Sequence, residues 1–130
     1  MKDRFADERK KRIKYIFDIL EKNGCENLTI QYSGGGDDGG MQLSDFSSTN
    51  DDKVRMSLDE PTIFNSMYYV DENMDFYHLL EEISENLLNK LGVDWVNGQG
   101  SCGEVFFDAK NKTVTVGYQV MEEKEAVFTE

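Results

Sequence analysis

The sequence predicts an α+β fold: a mostly antiparallel sheet of four to five strands with two helices packed on one face. Three observations lead there. Residues 3–22 and Met74–Leu91 carry apolar side chains at three- and four-residue spacing, the period of a helix with one buried face. Asn27–Ser33, Met41–Phe46, Glu104–Ala109 and Lys112–Val120 alternate or read as short extended segments. These segments come in sequence-adjacent pairs, an arrangement that builds hairpins, not the long crossovers of a parallel sheet.

In the first helix the stripe is Ile13, Ile16, Phe17 and Leu20, with Phe5 packing at its start. Asn23-Gly24 ends it, since both residues tolerate the left-handed C′ conformation. The basic run Arg9–Lys14 is read as a partly solvated face. In the first strand Leu28, Ile30 and Tyr32 face one way, Thr29 and Gln31 the other. The glycine run Gly34–Gly40 is expected to break regular structure before the return strand Met41–Phe46. Ser47–Lys53 reads as a polar loop and Val54–Leu58 as a short edge strand. Pro61 holds Glu60 extended. The pattern assigns no state to the run Met67–Val70.

The second helix is the clearest element. Phe76, Leu80, Ile83, Leu87 and Leu91 form its stripe, with Leu79 and Leu88 widening it. Asp71 or Asn73 is expected to cap it, and Gly92 to end it. A second glycine-rich loop, Asn97–Gly103, leads into a hairpin turning at Lys110-Asn111. The charged tail 122–130 is expected to fray.

The 130 residues make one domain, 1–130, and 38% hydrophobic residues suffice for a core. The formal charge is −12 and uneven. Residues 1–22 hold eight Lys/Arg and five Asp/Glu, a net of +3, which leaves −15 for residues 23–130. So acidic a body repels phosphate, which argues against direct nucleic-acid binding and for a protein partner with a basic surface. No apolar run approaches a membrane span and no signal sequence is visible. With two cysteines and no CxxC pair, a cytoplasmic setting with reduced thiols is expected.

Asp37 and Asp38 in the glycine run suit a divalent cation better than a phosphate, and Glu104 or Asp45 would complete the set. A hairpin loop is the plainer reading, and no metal or cofactor is expected. Asp71–Glu82 nearly spells a calcium loop, but position six is Phe76 where the turn needs glycine. His78, the only histidine, reads as a surface helix residue, and a Cys102–His78 dyad has nothing to orient it. Trp95 with Tyr68, Tyr69 and Tyr118 would make an aromatic patch if exposed. The acidic side chains weighed for partner binding are Asp37, Asp38, Glu81 and Glu85, with Trp95 beside them.

Two islands carry a family likeness: Tyr32-Ser33-Gly34-Gly35-Gly36-Asp37-Asp38-Gly39-Gly40, and Trp95 with Asn97-Gly98, Gly100, Gly103-Glu104, Phe107-Asp108 and Thr113–Val116. In order and spacing they resemble an uncharacterised bacterial domain-of-unknown-function family, number 6878, over about residues 16–120. The resemblance implies a small α+β fold and brings no activity or catalytic residue. The family usually carries Ser-Gly-Gln and an acidic residue after the first aspartate. Here Asp38-Gly39-Gly40-Met41-Gln42 stands instead. The Cys102 position is commonly aromatic in the family, which argues against a thiol nucleophile.

The expected function is a non-enzymatic protein-interaction module. Its sharper form is a phage or mobile-element inhibitor that mimics nucleic-acid charge. The alternative is a small hydrolase or ligand- or cation-binding protein using the two glycine-rich loops with Asp37, Asp38, Glu104 and Asp108.

Overall fold

A computed structural model describes residues 3–36, 38–69, 72–93, 100–119 and 123–129; of residues 38, 119, 123 and 124 only the backbone is described. Helix α1 (Ala6–Lys22) leads into strands β1 (Cys25–Gly35) and β2 (Asp38–Ser48), then helix α2 (Asp51–Ser57). A short ribbon follows, β3 (Pro61–Asn65) and β4 (Asn73–Asp75), then helix α3 (Phe76–Lys90). Strands β5 (Ser101–Asp108), β6 (Thr113–Gln119) and β7 (Glu123–Thr129) close the chain. The main sheet has the order β2-β1-β5-β6-β7, with every neighbouring pair antiparallel.

The expected class holds, and the alternation that predicted it sets the core. Leu28, Ile30 and Tyr32 of β1, Val105 and Phe107 of β5, and Val114 and Val116 of β6 are all buried on one face. Against them lie the two helical stripes: Ile13, Ile16, Phe17 and Leu20 from α1, and Phe76, Leu79, Leu80, Ile83, Leu87 and Leu88 from α3. Burying each such side chain stabilises the fold by about 1.5–3 kcal/mol. Both helices end as their sequences require, with Gly24 at φ 71° and Gly92 at φ 74°.

Five local expectations are corrected. Asp51–Ser57 is helix, not loop and edge strand: Asn50 caps the amide of Lys53, and Val54 is the fully buried anchor. The first glycine run does not break the sheet, because Gly34 pairs with Gly39 and Gly35 with Asp38 across the hairpin tip. Met74 belongs to β4, and the cap of α3 is Asp75, which accepts a hydrogen bond from the His78 amide at 2.8 Å. Cys102 lies in β5, opposite Ser33, and not in a loop. The tail does not fray from residue 123 on: Glu123–Thr129 pairs in unbroken register with Thr113–Gln119. Among the described residues no helix is long and apolar enough to cross a membrane.

Candidate functional site

The polar side of α3 carries His78, Glu81, Glu82, Glu85 and Asn89, again at three- and four-residue spacing. Opposite it stands the segment that follows β3, residues 66–69, with Glu72, Asn73 and Met74 at the return into β4. Together these walls enclose a groove of about 450 Å³. Four glutamates line it, Glu72, Glu81, Glu82 and Glu85, beside Tyr68 and Tyr69. No lysine or arginine among the described residues does so. Tyr69 is 67% exposed and Tyr68 38%.

The wall at 66–69 is fixed by hydrogen bonds, not by apolar packing alone. Glu82 accepts from the Ser66 hydroxyl at 2.5 Å and from the Met67 amide at 2.8 Å. The Ser66 hydroxyl oxygen in turn accepts from the amides of Tyr68 and Tyr69, a local turn that a serine can supply. The Ser66 amide donates to the Glu72 carbonyl at 2.7 Å. Arg12 braces this wall from behind: it donates to the Asn65 carbonyl at 2.7 Å, lies 3.7 Å from Glu82, and stacks over Phe64.

A second chain of polar contacts reaches Tyr68. Its hydroxyl accepts from Asn86, whose carbonyl oxygen accepts from Arg9, and Arg9 binds Asp3 at 2.7 Å. Lys90 also binds Asp3, at 2.9 Å. The hydrogen bonds from Arg9 and Lys90 hold the Asp3 carboxyl far below the usual carboxylate range. Arg9 and Arg12, read from the sequence as part of a partly solvated strip, are therefore buried structural cations, while Lys10, Lys11 and Lys14 keep their exposure.

Within the groove, Glu81 is half-buried. Burial pushes its carboxyl up; the neighbouring His78 opposes the shift, and Asp75 and Glu85 add to it. His78 itself is exposed and lies 2.6 Å from Asp75. Glu81 thus stands in a partly desolvated acidic site that no described lysine or arginine lines.

The residues singled out from sequence fare differently. Glu81 and Glu85 come together in this groove. Tyr68 and Tyr69 join them, but Tyr118 lies on β6, packed against the core. Asp37 and Trp95 fall outside the described residues, as does the side chain of Asp38. Glu104 is exposed on β5 opposite Gln31 and Gly117. Asp108 is four residues further along that strand, about 13 Å away. There its carboxylate holds the turn by accepting from Asn111. Among the described residues no group of three metal-ligating side chains occurs.

The two glycine-rich stretches do meet, through backbone. A side chain at Gly100 would strike the Gly34 carbonyl, and one at Gly103 the Gly117 carbonyl. Gly34 also pairs with Ser101 across the β1–β5 ladder. These glycines let strands approach closely, and the open hollow beside Ser33–Gly35 is lined by no described carboxylate side chain.

A family model described as a family of unknown function, DUF6878, matches residues 8–129. The chain belongs to this family. The DUF6878 match runs from α1 through β7, so it takes in the arginines of the first helix and the final strand. No curated protein and no solved structure matches the chain.

The sequence reading missed Glu82, Ser66, Asn86, Arg9 and Arg12 as the parts that shape the groove. The signal for Glu82 was present in the polar stripe of α3. Nothing in a single sequence pairs that stripe with residues 66–69.

Proposed function

We propose that this protein is a non-enzymatic interaction module whose groove receives a basic segment of a partner protein. The groove itself carries the reading: four glutamates beside two exposed tyrosine rings, with no lysine or arginine among the described residues that line it. A guanidinium or ammonium group suits such a site. It would stack on a tyrosine face and neutralise the half-buried Glu81. The −15 charge of residues 23–130 would draw a basic partner toward it. Charge mimicry of nucleic acid asks for carboxylates spread over a convex face. A concave aromatic groove favours recognition of discrete side chains, and we prefer that form.

The test is titration of the full chain with an arginine-rich peptide, followed by calorimetry at two salt concentrations. Binding should weaken with salt and be lost in the double variant Glu81→Lys, Glu85→Lys. Tyr69→Ala should weaken it, and replacing Lys10 and Lys11 with glutamine should leave it unchanged. If the glutamate reversals bind normally while the lysine changes abolish binding, the basic helix is the active surface and the proposal fails.

A further inference from the structure

Strand β7 is the terminal strand of the described sheet, and its outer edge is of a kind that proteins usually protect. The opposite edge, β2, is protected: its pairing with β1 is interrupted between Thr29 and Ile30, and α2 packs against it. The β6–β7 ladder has no such interruption through its seven pairs. One residue from its midpoint Val127 is 57% exposed, the only large apolar residue of β7 turned to the outer face. Beneath the edge the core is incompletely closed. A cavity of about 190 Å³ separates α1 from β7, between Ala6 and Ile13 on one side and Phe128 on the other.

We propose that β7 pairs antiparallel with β7 of a second copy of this chain, centred on Val127. The self-complementarity of the sequence selects this occupant and this register. Val127 then faces Val127 of the second copy, each Phe128 faces an Ala126, and each Glu125 faces a Thr129. No like charges stand directly opposite, and the inner-face pairs extend the apolar layer next to the cavity. The result is one continuous ten-stranded sheet, twice the five strands of the single chain, with both helical layers on the same face. This surface is separate from the groove and does not rest on it.

Two chains of charge −12 repel, so the dimer should strengthen with added salt, opposite to the groove's basic ligand. Sedimentation equilibrium should show a mass that rises toward twice the chain with concentration, more so at high salt. Val127→Glu, which sets two carboxylates face to face at an exposed position, should give a folded monomer by the same measurement and by circular dichroism. In a Cys102→Ser background, Val127→Cys places two thiols on directly opposed residues, about 5 Å apart between Cα atoms, and copper–phenanthroline oxidation should cross-link them. Ala126→Cys should not cross-link, because its counterpart is displaced to about 8 Å. A chain that stays monomeric at every concentration and salt overturns the proposal. So does a dimer that survives Val127→Glu, or one that cross-links through Ala126→Cys as fast as through Val127→Cys.

Discussion

Arg12 is where removing one side chain should do most to the groove. Its side chain is 8% exposed and that of Glu82 10%. Truncation to alanine removes the 2.7 Å hydrogen bond to the Asn65 carbonyl, worth about 1.5–3 kcal/mol for a charged donor. It also strips the stack over Phe64, worth about 0.5–2 kcal/mol, and leaves Glu82 buried without its cation. Breaking a buried pair from one side costs about 3–5 kcal/mol, and Arg12→Ala should fall in that range. One feature offsets part of the loss: Arg12 Nε is buried with no hydrogen-bond partner among the described residues, so the wild type already bears a desolvation cost. Arg12→Met keeps the apolar stem and should cost less than alanine. Adding Glu82→Gln to Arg12→Met should recover part of what remains, with a coupling of about 0.5–3 kcal/mol. Urea unfolding followed by circular dichroism measures this directly. With a slope of about 1–3 kcal/mol per molar for a small protein, the midpoint of Arg12→Ala should fall by roughly 2 M. A loss below about 1 kcal/mol would refute the view that Arg12 holds the groove wall.

Leu80→Ala and Leu87→Ala, at fully buried positions of α3, should each cost about 2–5 kcal/mol in the same assay. Glu81→Gln should raise the melting temperature at pH 7. The folded-state pKa of Glu81 lies above its unfolded value, so its ionisation subtracts stability as pH rises through that interval, and the gain should vanish at low pH. Asp3→Asn should act with the opposite sign, destabilising at neutral pH and converging on wild type only in strong acid, because the Asp3 carboxyl is held low by Arg9 and Lys90. Of the two thiols, Cys102 is exposed and should react with a disulfide reagent at once; Cys25 is buried, its thiol pushed up to about 11, and should react only on unfolding. Removing divalent cations with EDTA should leave the melting temperature unchanged; a fall restored by calcium would point to Asp37 and Asp38.

Most of the sheet and both long helices were legible because their signals are local. The stripe Phe76, Leu80, Ile83 and Leu87 has helical period whatever it packs on, and the alternation in Leu28, Ile30 and Tyr32 needs no partner to be read. The failures share one cause, which is pairing at a distance. A seven-residue helix with a single buried apolar anchor, Val54, is too short to show a period. The segment Glu123–Thr129 is charged enough to read as a frayed end, yet its backbone groups find Thr113–Gln119 in register. Gly100 looks like a loop residue until the close approach of the Gly34–Gly35 backbone supplies the reason for having no side chain at Gly100.

The charge split shows the same limit and bears on the groove. Residues 1–22 carry a net +3, which invites reading the first helix as a basic surface. Two of its arginines are instead directed inward, Arg9 to Asn86 and Asp3, Arg12 to Asn65 and Glu82. Lys11 lies 3.6 Å from Glu8 on the same helix, an exposed pair worth little in energy but enough to dilute the local field. The helix therefore presents less positive charge to solvent than its composition suggests. Of the glutamates that line the groove, Arg12 pairs with Glu82, the carboxylate that also holds residues 66 and 67; its other acidic partner is Glu8 on its own helix. Glu81 and Glu85 face the groove beyond its reach, beside Tyr68 and Tyr69. The cations of α1 are thus used to build the wall and not to neutralise the floor, where the described lining holds glutamates and tyrosines but no lysine or arginine.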